Sequence, residues 1–356
     1  MSHTITWGGW QTDTTVSNVE HRGRYVDPRL VILSRGPGLY STMRLTEESQ
    51  RYGFITRVID PMSISTAVDD DGGRIYHQGW PIQADAVIPR IGFSITRPGS
   101  GIVRQFERMG AIVHNTADAI LLSRDKIAAT QVMADCGLPV PKTISVASME
   151  DCMQALRTIG SYPLVIKASE GTQGASVFLL DDETRAISLL AQMFQRGMRP
   201  LVQEYIKESH GRDIRAIVVR GRVVASMVRK ARGTEFRSNF HLGGSVEAIK
   251  LTPDQESVAI RAANELGLDV AGVDMLDSTS GPLVLEANSS PGLEGIERAT
   301  GINVAARIVS SLRARVRERI EEGGTLPNQG VPDGSSIGSR VTVSYTHLRA
   351  HETCLD

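Results

Sequence analysis

Val270-Ala271-Gly272-Val273-Asp274-Met275-Leu276 and Leu283-Val284-Leu285-Glu286-Ala287-Asn288 are two apolar runs separated by Ser278-Thr279-Ser280-Gly281-Pro282. Runs of this kind around a Ser/Gly/Pro cluster read as a β-hairpin. With the hairpin centred on Ser280, antiparallel pairing sets Asp274 opposite Glu286, and Asn288, two residues further on, shares the face of Glu286. Carboxylates set between apolar strand residues, with another oxygen donor at spacing two, argue for a metal site over a solvated hairpin face. Three converging oxygens suit magnesium, which takes one or two carboxylates together with water and nucleotide phosphates.

Upstream, Lys167 interrupts the apolar strand Leu164-Val165-Ile166-Lys167-Ala168, just ahead of Glu170-Gly171-Thr172-Gln173-Gly174. A lysine beside a Gly-rich turn can meet a phosphate as a point charge while backbone N–H groups approach it closely. A strand-edge lysine with a solvated head is the competing reading. No G-x-x-x-x-G-K-[ST] occurs, so a P-loop is excluded. A strand from Ser176 to Leu180, a helix over about 183–196 and a strand from Leu201 to Tyr205 follow. The backbone at Gln203-Glu204-Tyr205-Ile206 could take an adenine edge, or the run could simply end a strand. Asp213-Ile214-Arg215 alternates an acid and a base onto one strand face, where Arg215 could clamp phosphate or form a surface ion pair. Arg237-Ser238-Asn239, with His241 nearby and Arg229-Lys230-Ala231-Arg232 before it, offers donors in a basic loop that could equally be solvated charge.

Toward the N-terminus, strand patterns at 30–33, 55–59, 86–88 and 111–113 alternate with helical stretches at about 39–52 and 102–109, which predicts a small parallel sheet. Ser34-Arg35-Gly36-Pro37-Gly38 is only a partial dinucleotide fingerprint, because Ser41 stands at the third glycine position. A further helix is expected over about 124–136 with Ser123 as its cap. Thr252-Pro253-Asp254-Gln255 reads as a capping box at a helix start. In the last helix, about 303–321, Arg313, Arg315, Arg317 and Arg319 read as a solvated face around the stripe Val309, Leu312, Val316 and Ile320. Gly334-Ser335-Ser336-Ile337-Gly338 matches a nucleophile elbow in letters but lacks the flanking strand and helix.

The 356 residues carry 39 Lys+Arg against 40 Asp+Glu, a balance that gives no sign of general nucleic-acid or membrane affinity. With 41% hydrophobic and 22% charged residues the chain can bury a sizeable core, and at 5% aromatic content it offers few platforms for stacking bases. Cys136, Cys152 and Cys354 form no metal-binding or disulfide pattern, which fits a reducing cytoplasm. No apolar run is long enough for a membrane span or a signal peptide. The expected organisation is a flexible leader at 1–28, an N-terminal unit at 29–115, a central unit at 116–206, a C-terminal unit with the metal site at 207–322, and a disordered tail at 323–356. Residues 343–356 resemble a translated sequencing adapter and are set aside.

In order along the chain, these segments resemble the ATP-grasp ligases, most closely the RimK-type alpha-L-glutamate ligases. The resemblance is carried by Ile32-Leu33-Ser34-Arg35, Pro89-Arg90-Ile91-Gly92, Arg124-Asp125-Lys126, the Gly171 to Gly174 turn, Val202 to Glu208, Phe236-Arg237-Ser238-Asn239 and Ser290-Pro291-Gly292-Leu293-Glu294-Gly295-Ile296-Glu297. It implies an α/β chain, α+β in its ATP-grasp part, in which a small N-terminal parallel-sheet domain precedes two subdomains that clasp ATP.

The resemblance also implies roles. Lys126, Lys167, Gly171, Thr172, Gln173 and Gly174 would hold the phosphates of ATP, with Glu204, Tyr205 and Ile206 at adenine and ribose. Asp213, Arg237, Ser238 and Asn239 would complete the nucleotide site. Asp274, Glu286 and Asn288 would hold two magnesium or manganese ions, Arg215 would stabilise the transferred phosphoryl group, and Arg90 would pair with a substrate carboxylate. The implied reaction joins L-glutamate to the C-terminal carboxylate of a polypeptide, a small-subunit ribosomal protein, through an acyl phosphate. Implied too are a cytoplasmic homo-oligomer, dimer or tetramer, and no direct nucleic-acid partner. Alternatives are a related ligase with a small-molecule or amino-group-carrier acceptor, and a non-catalytic nucleotide-binding regulator.

Overall fold

A computed structural model describes residues 27–70, 72–169, 177–232 and 244–327. The turn at 170–176, the basic loop with Arg237, Ser238, Asn239 and His241, most of the leader, and the segment from 328 onward lie outside the described residues.

The first unit runs β1 (Arg29–Leu33), α1 (Tyr40–Arg51), β2 (Ile55–Ile59), β3 (Ile64–Asp69), β4 (Gly72–His77), β5 (Trp80–Pro81), β6 (Ala86–Pro89), α2 (Thr96–Arg108) and β7 (Ile112–Val113). Strands β2, β1, β6 and β7 form a parallel sheet in that order, as the strand and helix alternation predicts. Parallel strands are covered on both faces, so their residues are apolar without alternation. Leu30, Ile32, Ala86 and Ile88 feed one core, and Val31, Leu33, Val87 and Val113 another. The antiparallel β3–β4–β5 sheet packs on the second core through Ile75. Helix α2 begins earlier than its apolar pattern suggests. Pro98 falls in its first turn, where a missing N–H breaks no helical bond.

Next come α3 (Ala117–Arg124), α4 (Lys126–Asp135), β8 (Thr143–Ser145), α5 (Met149–Ile159), β9 (Leu164–Ala168), β10 (Val177–Leu180), α6 (Glu183–Gln195) and β11 (Pro200–Glu204). Ser123 does not cap α4: its hydroxyl donates to the Ile120 carbonyl inside α3, and Asp125 accepts from the N–H groups of Ile127 and Ala128 instead. Strands β10, β9, β11 and β8 form an antiparallel sheet. Leu164, Ile166 and Ala168 pack beneath α5 and α6, so strand alternation turns Lys167 to the opposite face.

The remaining elements are β12 (Arg212–Val219), β13 (Arg222–Lys230), β14 (Ser245–Ala248), α7 (Pro253–Glu265), β15 (Val270–Ser278), β16 (Gly281–Asn288), α8 (Glu294–Thr300) and α9 (Val304–Glu321). The sheet order is β14-β13-β12-β15-β16, antiparallel throughout. Helix α7, opened by the Thr252–Gln255 capping box, covers Ile214, Ala216, Ala271 and Val273. The other face of the sheet is divided. Ile217, Val219 and Val270 lie in a core shared with α8, α9 and the first sheet. Asp213, Arg215 and Asp274 extend that face into a polar patch.

Three of the α9 arginines are not a solvated face. Arg315 donates to Asp269 at 2.7 Å, Arg313 to the Tyr52 carbonyl at 3.2 Å with its guanidinium over Phe54, and Arg319 to the Gly110 carbonyl. Only Arg317 of the four is exposed. Helix α9 is wedged between two units, so its polar side meets backbone carbonyls rather than water. Glu297 performs a similar task, accepting from Tyr40 (2.8 Å), Arg44 (3.3 Å) and the Ala305 N–H (2.9 Å). The expected tail boundary at 323 also falls short, because Leu326 is 6% exposed and belongs to the core beside α9. Among the described residues no helix is long and apolar enough to cross a membrane.

Candidate active site

Lys167 is 8% exposed, and its ammonium donates to Gln203 Oε1 at 3.1 Å. Gln203 in turn donates to Thr143 Oγ1 at 2.6 Å. The pairing Leu201↔Lys167 puts Gln203 on the same sheet face, one diagonal step away. The lysine head is therefore packed and held, not solvated. Burial pushes its pKa down to about 8, the Glu286 charge opposes this, and Lys126 adds to it. The effect of Lys126 and Glu286 places both near the ammonium: Lys126 from the first turn of α4, Glu286 from β16 of the C-terminal sheet.

On that sheet the register pairs Asp213 with Arg229 and Arg215 with both Met227 and Asp274. Arg229 is buried and donates to Asp213 through Nε at 2.7 Å and again through Nη2, which also reaches Asp274 Oδ2 at 2.9 Å. Arg215 grips Asp274 with Nε to Oδ1 at 2.7 Å and Nη2 to Oδ2 at 2.6 Å. The expected surface pair Asp213–Arg215 is thus replaced by a buried network of two acids and two arginines, and Arg229 is not part of a solvated basic run. Burial raises the Asp213 carboxyl above its usual range despite Arg229. Burial acts the same way on Asp274, but Arg215 and Arg229 outweigh it and hold that carboxyl low.

Asp274 lies opposite Glu286, though by a different route from the one a plain hairpin gives. Ser278 pairs with Gly281 around Thr279 and Ser280, and that register alone would bring Leu285 opposite Asp274. A bulge between Asp274 and Met275 takes up the extra residue and turns Glu286 into place, as bulges beside active sites do. Asn288 Nδ2 donates to Glu286 Oε1 at 3.1 Å.

This donor set fits a divalent cation. A carboxylate has about four lone-pair sites, and three donors engage Asp274, which leaves one on Oδ1. Turning the Asn288 amide over would present its oxygen beside Glu286. Among the described residues no group of three or more His, Cys, Asp and Glu side chains could hold an ion.

The other expected contacts lie around this centre. Glu204 ends β11 with its carboxylate accepting from the Lys142 N–H at 2.7 Å while its own N–H donates to the Lys142 carbonyl at 3.0 Å. Ile206 is buried, and the Tyr205 hydroxyl meets His210 Nδ1. Arg90, at the C-terminal end of β6, donates to the Pro291 carbonyl at 2.8 Å. Pro291 packs against Gly272 so closely that a Cβ there would lie 2.8 Å from the proline ring. Burial pushes the Arg90 guanidinium down to about 10, with the charge of Arg124 adding to the shift. Gly171, Thr172, Gln173, Gly174, Arg237, Ser238 and Asn239 lie outside the described residues.

Three residues beside the expected site are given no side-chain role by a reading of isolated segments. Gln203 was legible through alternation, since it shares the Lys167 face. Arg229 needed the sheet order, and Arg124 needed the packing of the first unit on the last.

The comparisons with known proteins agree with this architecture. The RimK PreATP-grasp domain model matches residues 29–120, and the RimK-like ATP-grasp domain model matches residues 123–312. A protein of Aeromonas salmonicida (strain A449) named "Probable alpha-L-glutamate ligase" is 44% identical over 292 residues, 82% of this chain and 98% of that protein. One of the same name from Ectopseudomonas mendocina (strain ymp) is 46% identical over 285 residues, 80% of this chain and 95% of that protein. Among solved structures, a RimK domain ATP-grasp protein from Sphaerobacter thermophilus DSM 20745 superposes with a TM-score of 0.62 at 20% identity, covering 80% of this chain and 99% of that one. The D-alanine–D-alanine ligase of Bacillus anthracis complexed with ATP gives 0.59 at 19% identity, covering 83% and 100%. The chain belongs to the RimK-like ATP-grasp family and is an ATP-grasp ligase.

Proposed function

We propose that this protein is an alpha-L-glutamate ligase that extends the C-terminus of a small-subunit ribosomal protein with L-glutamate. The observation that carries the reading is the position of Glu286, whose charge acts on Lys167 from the facing sheet while its side chain meets Asn288 and its strand partner is Asp274. A phosphate-binding lysine and a cation-binding acid across one cleft are what transfer of a phosphoryl group requires. The near full-length relatives named as glutamate ligases support the choice of glutamate.

In this reading the nucleotide lies between the central and C-terminal sheets. Lys167, held by Gln203, and Lys126 meet its phosphates together with Gly171, Thr172, Gln173 and Gly174. Glu204, Tyr205 and Ile206 border adenine and ribose, and Asp213, Arg237, Ser238 and Asn239 complete the pocket. Asp274, Glu286 and Asn288 would hold two magnesium or manganese ions, which when bound neutralise phosphate charge. An acceptor carboxylate oxygen attacks the γ-phosphorus of ATP and ADP leaves, giving an acyl phosphate. The amine of glutamate attacks the acyl carbon, phosphate leaves, and the amine loses a proton as the amide forms. Arg215 spends two of its five N–H donors on Asp274, so the other three are available to the phosphoryl oxygens. Arg90 contacts a substrate carboxylate.

The test incubates the enzyme with ATP, magnesium, glutamate and either the ribosomal protein with its native tail or a version with that tail replaced by alanines. Mass increments of one or more glutamyl units on the native tail alone are expected. Equal ADP release with a small amino-acid acceptor, and none with the protein, would transfer the reading to the small-acceptor ligases.

A further inference from the structure

Two guanidinium groups meet where the first unit packs on the last, and neither has a carboxylate partner among the described residues. Arg90 reaches from the end of β6 to the Pro291 carbonyl, and Arg124, the last residue of α3, donates from Nη2 to the Ile91 carbonyl, each at 2.8 Å. Each therefore rests on the loop that carries the next glycine, Gly92 or Gly292. A Cβ added to either glycine would meet open space. Arg124 Nε is buried with no hydrogen-bond partner.

Paired cations with an orphaned donor are costly to bury and become favourable once an anion bridges them. A planar guanidinium matches a carboxylate in two-point geometry, and two of them can hold one carboxylate from both sides. The location also suits a substrate. The C-terminal ends of parallel strands are where open α/β sheets bind ligands, and the Glu286 charge acts on Arg124 as it does on Lys167. A group docked on the arginines therefore lies next to the proposed cation and phosphate positions.

We propose that Arg90 and Arg124 together form the carboxylate-docking site of the enzyme, with Arg124 as a second, previously unassigned substrate contact. The inference deepens the proposed function and rests on it for the identity of the substrates. Two carboxylate sources exist in that reaction: the acceptor terminus and the incoming amino acid.

The test measures equilibrium binding to the wild-type protein loaded with ADP and magnesium. The probes are L-glutamate, compared with glutamine and with glutamate α-amide, and an acetylated peptide with a free C-terminal carboxylate, compared with its carboxamide. One carboxylate probe should bind at least about tenfold tighter than its amide, and Arg124→Gln and Arg90→Gln should each erase that preference while ADP affinity stays within about twofold. Arg124→Lys should retain part of it, which separates loss of charge from loss of fold. Loss with glutamate places the incoming amino acid on the arginines, and loss with the peptide places the acceptor there. Both probes binding as well to Arg124→Gln as to wild type, no preference for carboxylate over amide with either probe, or a matching loss of ADP affinity overturns the proposal. Turnover assayed on the same wild-type sample tests the ligase reading separately, since carboxylate docking without glutamyl transfer would sink that reading and leave this one standing.

Discussion

Arg215 and Asp274 face each other across β12 and β15 in a two-point pair, Nε to Oδ1 at 2.7 Å and Nη2 to Oδ2 at 2.6 Å, with Arg229 closing on the same carboxylate at 2.9 Å. Removing the acid leaves two nearly buried guanidiniums sharing Asp213 alone. Asp274→Asn should therefore cost about 3–5 kcal/mol of stability, read as a lower urea midpoint. The arginines hold the Asp274 carboxyl below its usual range, so its contribution is present above pH ~4 and is lost as the pH falls through the lower folded value. The variant should lack that part of the acid limb. An unchanged midpoint would mean that the pairs contribute nothing net.

Lys167 should behave in the opposite sense. A buried ammonium whose pKa has fallen from 10.5 to about 8 destabilises the nucleotide-free protein below pH 8. Between those two values the unfolded chain binds the extra proton, so stability rises with pH by up to ~1.4 kcal/mol per unit. Lys167→Met should raise the melting temperature at pH 7, flatten that rise, and weaken ATP binding by about tenfold or more through the lost phosphate contact. Calorimetry with ATP and thermal melts from pH 7 to 10 check both effects, and a variant that melts lower than wild type would show that the Gln203 bond outweighs burial.

Glu286→Gln keeps the shape of the side chain and its contact with Asn288 while removing one ligand charge. It should fold as the wild type does, lose magnesium-dependent ADP release, and recover part of it only at much higher magnesium. An unaltered magnesium titration would remove Glu286 from the cation site.

What could be read from the sequence follows from what is local. The Asp274–Glu286 pairing came from hairpin arithmetic, the place of Lys167 in an apolar strand from its neighbours, and the α7 start from its capping box, whereas the packing of the lysine head against Gln203 needed the sheet. The arithmetic succeeded because a bulge restored a register that the tight Thr279–Ser280 turn had shifted, and single-strand patterns do not encode bulges. Arg229 and the α9 arginines were misread for a different reason. A charge run looks solvated until the sheet order brings Asp213 and Asp274 beside it, or until α9 is wedged against the carbonyls of Tyr52 and Gly110. Ser123 was misread as a cap because α3, with little amphipathic signal of its own, takes that serine into its last turn.

The C-terminal boundary can be located by truncation. After α9 the chain turns back, with the Gly324 N–H donating to the Arg319 carbonyl at 2.9 Å, and seats Leu326 in the core beside α9. Stopping the chain at Glu322 deletes that side chain, and a buried leucine reduced to nothing costs at least as much as reduction to alanine, about 2–5 kcal/mol in a core that cannot collapse. Its place near the edge of the packed region argues for the lower end, ~2 kcal/mol. Stopping at Pro327 instead removes only the segment whose sequence has no periodicity able to bury a face, so its melting temperature and ADP release should match the full chain. Leu326→Ala in the full chain should reproduce most of the loss seen on stopping at Glu322. If both truncations melt with the full-length protein, Leu326 adds nothing to the core; if the one at Pro327 also melts several degrees lower, the segment beyond it packs on the domain.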